Sequence, residues 1–416
     1  MQNRWFQLGA SLVAMIMIAN LQYSWTLFVK PMQSANGWPL DGIQWAFTLF
    51  VLFQTWIQPL DGWLIDGLGP RLFITVAGVL CGVGWAGLSL ATTLPQVYAL
   101  YVLAGIGAAL VYSGCIGSAL KWFADRRGFA SGIIAAGFGG GTALFIPAIV
   151  YLIRERGYQS AFLWTGLFQG LVITVVAQFL RHPPHDAQPK ATVAQAAAAT
   201  TSRRNDEQFT TAEMLRTPHF YALYLAFVLM STGGLLVTAQ AGPVASSWGL
   251  TAAALATAAS LSPIANGAAR VFWGLASDRL GREATMALTF ILQAGCLLAV
   301  LLLGRQSGTM FTVTLVLTYF TWGQIYSLFP STLGDYFGTR HATSNYGFLY
   351  TAKGVASILG GGVAAMLYQQ FGSWAACFYG SAAMALVAAV IALVLKGLPL
   401  PSKASAIGVR SVAPAS

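Results

Sequence analysis

PIANGAARVFWGLASDRLGR, residues Pro263–Arg282, reads as an apolar helix with an arginine in its middle and a charged turn at its end. The turn is Asp278-Arg279-Leu280-Gly281-Arg282, where a membrane helix would leave the bilayer. Arg270 stands eight residues before Asp278, which is about 12 Å at a helical rise of roughly 1.5 Å per residue. A bilayer's hydrocarbon core is about 30 Å thick, so with Asp278 at the surface Arg270 sits near the midplane. A cation at that depth costs at least about 2.5 kcal/mol and marks a functional site by default. What pairs with it has to come from elsewhere in the chain.

The composition says what kind of chain this is. Its 416 residues are 56% hydrophobic and 8% charged, with mean hydropathy +0.66. Soluble domains carry about 25% charged residues. Apolar runs near or above 20 residues recur from end to end, the pattern of a polytopic helical membrane protein. A soluble α/β enzyme is excluded, because the runs are too long for strands and the charges too few to cover a surface. A net charge of +10 would suggest nucleic acid in a soluble protein; here it reflects basic residues retained in cytoplasmic loops, and no nucleic-acid partner is expected. Cys81, Cys115, Cys296 and Cys377 all fall in apolar segments without metal spacing and read as packing thiols. His182, His185, His219 and His341 lie in polar flanks, so neither a metal nor another cofactor is expected. Arg4 precedes an apolar run from Trp5 to Val29 that is too long for a signal peptide and reads as the first membrane helix.

Twelve spans can be drawn, roughly 5–29, 43–65, 72–92, 96–121, 128–152, 160–180, 218–246, 252–277, 284–303, 309–334, 344–370 and 374–395. They predict an all-α fold of two six-helix bundles, residues 1–181 and 217–397. A polar, partly flexible linker, 182–216, joins them, and a tail follows from 398 to 416. With the N-terminus inside, cytoplasmic segments hold 16 Lys and Arg against 4 outside, so both termini are expected in the cytoplasm. Two of the 22 remain inside the spans, Arg270 and Lys353.

The halves echo each other. Gly62-Trp-Leu-Ile-Asp66-Gly-Leu-Gly69-Pro-Arg71 follows span 2, and Gly274-Leu-Ala-Ser-Asp278-Arg-Leu-Gly281-Arg282 follows span 8. Lys121-Trp-Phe-Ala-Asp-Arg-Arg likewise faces Asp335-Tyr-Phe-Gly-Thr-Arg-His. A repeated six-helix unit of parallel sense is the plan of a transporter that rocks about a central site. The G-x-x-x-D-x-x-G-x-R turn, its partial copy and the six-plus-six layout resemble the major facilitator superfamily. NRWF (3–6), LQYSWTLF (21–28), IQWAFTL (43–49), LRTPHF (215–220), NGAARVFWG (266–274), TWGQIYSLFPST (321–332) and NYGFLYTAKG (345–354) resemble the oxalate:formate antiporter family of bacterial anion exchangers. The resemblance implies a multi-pass protein of the bacterial inner membrane, and a monomer is expected.

Lys353 lies about 14 Å into span 11, at the depth of Arg270. All 12 acidic residues fall in loops or at span ends, Asp61 and Asp335 being nearest the interior. Without a midplane carboxylate, two cations around one cavity imply an anion, most simply a small dianion. The plainer alternative is that both snorkel or bond to backbone carbonyls. Arginine suits a carboxylate fork and lysine supplies a point charge. The family resemblance implies that this pair binds substrate carboxylates. It also implies that Gln22, Tyr23, Gln44, Tyr112, Trp322 and Tyr326 line the cavity, with Tyr350 where the family would lead one to expect tryptophan. Asn266 shares a helix face with Arg270, as Trp322 does with Tyr326; packing alone would also account for each aromatic. Glycine clusters at 137–141 and 360–362 supply close approach and kinks. The Asp66/Arg71 and Asp278/Arg282 turns are candidate conformational latches, with simple helix stops as the alternative.

These features predict a secondary transporter exchanging small carboxylates, oxalate and formate or their relatives, by alternating access across the lipid bilayer. The alternative is a proton-coupled carrier of monocarboxylates such as lactate or pyruvate, which would need an intramembrane titratable group. A non-transporting carboxylate sensor is a third reading, and the linker lacks an output domain for it. No nucleophile–base pair lies at one depth, so catalysis is not expected.

Overall fold

Every apolar run becomes a helix, and polar or glycine residues set its breaks. The computed structural model describes residues 3–123, 127–181, 205–338 and 340–403, with backbone alone for 62–68, 120–121, 127–129, 131 and 343. No strand occurs among the described residues. Helix α1 (Arg4–Tyr23) starts at Asn3, whose side chain accepts from the Trp5 N–H at 2.9 Å, a standard N-cap. It breaks at Ser24, immediately after Gln22 and Tyr23, and α2 (Trp25–Asn36) completes span 1. Span 2 is α3 (Leu40–Trp56) and the start of α4 (Gln58–Gly87), interrupted at Ile57 just before Pro59. Within α4, Gly69 has φ +72°, a conformation only glycine takes without strain, and span 3 begins at Pro70.

Span 4 is α5 (Leu94–Trp122). Span 5 is α6 (Arg127–Gly140), a 3-10 turn at Gly141–Leu144 and the first part of α7 (Ile146–Ala177); the rest of α7, beyond Gly157, is span 6. The second half follows a short helix α8 (Thr211–Met214), with α9 (Pro218–Ser247), α10 (Ala252–Leu280) and α11 (Arg282–Leu303) as spans 7 to 9. Span 10 is α12 (Gly308–Trp322) and α13 (Ile325–Phe337). Span 11 is α14 (Ala342–Ser357), a π-helical stretch Ile358–Val363 and α15 (Ala364–Phe371), and span 12 is α16 (Ala375–Gly397). Among the described residues, eight segments are long and apolar enough to cross a membrane by length and composition alone. The broken spans bring the rods to the expected twelve.

Large apolar side chains such as Leu60, Leu171, Leu275 and Val390 point outward and are exposed, as a surface solvated by lipid requires. Inside the first half, Trp25, Tyr101 and Phe50 stack at 4.3 Å between successive rings. In the second, Phe227 stacks on Phe329 at 4.5 Å. The halves meet where α3 packs on α14, α6 on α10 and α2 on α9. Away from the chain ends, Thr48 donates to the Ser357 carbonyl at 3.0 Å and accepts from the Gly362 N–H at 2.9 Å, and Thr26 accepts from the Gly242 N–H. Nearer the ends, Gly347 lies against Pro59 and Gly354 against Thr55 and Trp56. Cross-half contact therefore continues on both sides of the middle.

Part of the connection between halves is ordered. Residues 182–204 lie outside the described ones, but 205–216 are packed against the second half. Phe209 and Met214 are fully buried. Asn205 donates its backbone N–H to Asp335 at 2.8 Å and its amide to Pro401 at 2.6 Å, while the Phe209 N–H reaches Phe337 at 2.9 Å. Two apolar anchors and the ends of span 10 and of the tail are enough to order this segment. Asp61 also departs from expectation. It lies inside α4 and is 2% exposed, a buried acid within span 2.

Candidate functional site

Arg270 is carried by α10 into the contact with α6, where Gly139 and Gly267 leave room for close approach. It is 4% exposed. Its guanidinium donates from Nη1 to the Ala135 carbonyl across the halves at 2.8 Å, and from Nη2 to Asn266 Oδ1 at 3.0 Å. The Asn266–Arg270 pairing expected from helical spacing is thus present. The guanidinium carbon sits 4.3 Å from the centre of the Tyr326 ring, within cation–π range. Nε has no partner.

Lys353 comes from α14 and is fully buried. Its ammonium donates to Gln22 Oε1 at 2.9 Å, Gln54 Oε1 at 3.1 Å and the Tyr350 hydroxyl at 3.3 Å. An ammonium has three N–H donors, and these oxygens accept all three. Two of the acceptors belong to the other half, so Lys353, like Arg270, ties the halves together. The rings of Tyr326, Phe138 and Tyr350 lie 5.3–5.8 Å from its nitrogen. Tyr326 therefore stands between the two cations, which are close enough for their charges to repel. Neither forms an ion pair with a carboxylate: each is held by neutral acceptors, a carbonyl among them, as the plainer alternative anticipated for Arg270.

An aromatic wall surrounds them. Tyr112 stacks on Tyr350 at 6.0 Å, Tyr23 packs against Phe138 at 5.5 Å, and Trp322 meets Tyr326 edge-on at 5.6 Å. The N–H or O–H groups of Gln22 Nε2, Tyr23, Trp322, Tyr326 and Arg270 Nε are all buried without a hydrogen-bonding partner. Each is a donor, and an unpaired buried donor is costly. Gln44 sits apart from this group: it accepts from Trp25 Nε1 at 3.2 Å and donates to the Ala239 carbonyl at 2.8 Å, sealing the halves away from the chain ends. Gln54, which the sequence reading passed over, takes the place beside Lys353. Its signal was present, a lone amide in the apolar run Phe50-Val-Leu-Phe-Gln54-Thr-Trp56.

The second turn is more than a helix stop. Arg282 bonds Asp278 at 2.7 Å and, from Nε, Asp335 at 3.2 Å, with the Ser277 hydroxyl also accepting from it. Tyr336 donates to Glu283 at 2.7 Å beside it. This network ties the span 8–9 turn to the end of span 10, within one half. In the first copy the Asp66 side chain lies outside the described ones. Arg71 is exposed and donates to Gln178 at 2.8 Å, joining spans 3 and 6.

The sequence profile of the Major Facilitator Superfamily matches residues 10–241 and 221–414. The chain is 38% identical to the oxalate:formate antiporter of Oxalobacter formigenes over 94% of its own length and 91% of that protein's. It is 29% identical to an uncharacterized 38 kDa protein of Thermoproteus tenax, over 96% and 99% of the two chains. Monocarboxylate transporter 12-B of Danio rerio is similar at 24% identity over 82% and 76%. Twelve helical rods, a six-plus-six repeat and these likenesses agree: the chain is a multi-pass membrane transporter that belongs to the major facilitator superfamily, in the oxalate:formate antiporter family.

Proposed function

We propose that this protein exchanges small carboxylate anions, of the oxalate and formate class, by alternating access, with the anion held between Arg270 and Lys353. The observation behind the reading is the set of five partnerless donors around two cations that meet no carboxylate. A ligand suited to them offers acceptors and negative charge, and a carboxylate has both. Two cations suit a dianion, which would displace the Gln22, Gln54 and Ala135 oxygens and so loosen bonds that now tie the halves. Without an anion, opening would leave two repelling charges in a widening cavity, which disfavours return of the empty carrier and promotes obligatory exchange. The two bundles, 1–181 and 217–397, would rock as a monomer in the bacterial inner membrane, with 182–216 and the tail 398–416 on the cytoplasmic side.

Purified protein in proteoliposomes tests this. Uptake of labelled oxalate should require an internal carboxylate. Arg270→Gln and Lys353→Gln should each lower exchange by about 30-fold or more, since truncating one partner of a buried charge pair costs about 2–5 kcal/mol. Uptake that persists in Lys353→Gln removes the lysine from the site, and uptake driven by a pH gradient alone removes obligatory exchange.

A further inference from the structure

Asp61 is a buried acid that the exchange mechanism leaves unused. It lies five residues before Asp66, just beyond the Pro59 break in span 2, and is 2% exposed. Both carboxyl oxygens lack a hydrogen-bonding partner, so neither accepts from a side chain or from a backbone N–H. No charged group among the described residues bears on it. The polar group that faces it is Ser113 of α5. That hydroxyl donates to the Ala109 carbonyl at 3.1 Å. Of the other elements packed on α4, α14 brings Tyr346, Tyr350 and Lys353, and α5 brings Tyr112. α3 carries Asp41 in its first turn, and α7 beyond Gly157 carries Tyr158 at its start. Asp66 and Lys121 lie outside the described side chains.

A carboxylate stripped of water and of every donor is the less stable form, and a carboxylic acid, whose O–H can point at Ser113, is the form this site accommodates. Protonating an ordinary aspartate at neutral pH is disfavoured by about a thousandfold, less than burying the naked anion. The cover over Asp61 is also movable, because α14 of the other half packs on α4 here, with Gly347 against Gln58 and Pro59.

We infer that Asp61 is a proton-binding site that gates the cytoplasmic side: it holds a proton while α14 is closed on α4, and loses it when that face opens. On opening, water enters, the carboxyl O–H bond breaks, the proton passes to water and the carboxylate remains. Closure takes the proton back. The orientation comes from the exchange reading, but the proton site itself stands apart from it.

Two measurements on the reconstituted full-length transporter test this. Infrared spectra at neutral pH should show the carbonyl stretch of a protonated carboxylic acid, and Asp61→Asn should abolish it. Absence of the band in wild type, or its persistence in the variant, overturns the proposal whatever the protein transports. Oxalate exchange in wild type should fall as pH rises, by up to about tenfold per pH unit beyond the midpoint. Asp61→Asn, neutral at every pH, should exchange with a flat profile, while Asp61→Glu should keep a pH dependence with a moved midpoint. Superimposable profiles for wild type and Asp61→Asn would overturn the gating role.

Discussion

Arg270 and Arg282 lie twelve residues apart around one helix end, both nearly buried, and they are satisfied in opposite ways. Arg282 has two carboxylates, Asp278 and Asp335, and sits in a network within its own half. Arg270 has none: a carbonyl, an amide oxygen and an aromatic face share its charge, and part of its fork is idle. The chain thus supplies acids to Arg282 and none to Arg270, as the proposed anion site would require. Lys353 follows the Arg270 pattern with three neutral oxygens. Neutral acceptors keep a buried ammonium tolerable yet leave its charge uncompensated, so a carboxylate, which brings the opposite charge, displaces them.

The sharpest way to break this comparison is to give the centre its own acid. Gln54→Glu places a carboxylate where an amide oxygen now stands 3.1 Å from the Lys353 nitrogen. Close buried charge pairs couple by roughly 1.5–7 kcal/mol, so the built-in anion should outcompete substrate. Oxalate exchange should drop by about tenfold or more, while the variant melts no lower than wild type and gains nothing when oxalate is added. Wild-type exchange by Gln54→Glu would mean that the idle charge is not what the site depends on.

The converse change belongs at the turn. Asp335→Asn removes one of two acids from Arg282, both side chains being about nine-tenths buried. Breaking a buried pair costs about 3–5 kcal/mol, and because Asp278 stays bonded the loss should fall at or below the lower figure. A reduced melting temperature in detergent is expected, with exchange per folded molecule within about twofold of wild type, since no substrate contact is touched. Arg282→Gln should cost more, because it removes the bonds to both carboxylates, and the double variant should recover part of the difference. If Asp335→Asn slows exchange far more than it lowers melting, the network is a moving latch rather than a brace.

Much of this was readable before any coordinates. Long apolar runs give twelve rods, but not the break of span 1 at Ser24. That Arg270 and Lys353 lie inside spans was legible from the sequence, and the structure buries both. What could not be read is which neutral atom each cation meets. Every residue has a carbonyl, so nothing distinguishes Ala135, whose oxygen is chosen only because Gly139 and Gly267 let α6 and α10 approach. Gln54 and Lys353 are 299 residues apart, and no periodicity within one helix tells which face meets another that distant. Gln44 shows the reverse: its amide is spent on Trp25 and Ala239, a commitment that depends on where α9 ends up. Asp335 was visible as an echo of the first half, but pairing it with Arg282 needed the bend between spans 8 and 9.

The low end of the scale lies at the packed part of the linker. Glu213 closes a capping box on α8, accepting the Thr210 N–H at 2.7 Å, and its other oxygen meets Lys403 of the tail at 3.2 Å. The Thr210 N–H, with Lys403 adding to it, holds this carboxyl below the usual glutamate range. A depressed folded-state value means a contribution that is present above about pH 4.3, the unfolded value, and is lost as pH falls through the lower folded one. Glu213→Gln should therefore melt slightly below wild type near neutrality, and the gap should close in acid as protonation takes the same carboxylate from wild type. Water surrounds this site, so the effect should be the smallest of the three and should shrink further in high salt. A gap that widens in acid would mean that Glu213 acts through something other than its charge, and that an exposed acid does not belong on the same scale as the pair at Arg282.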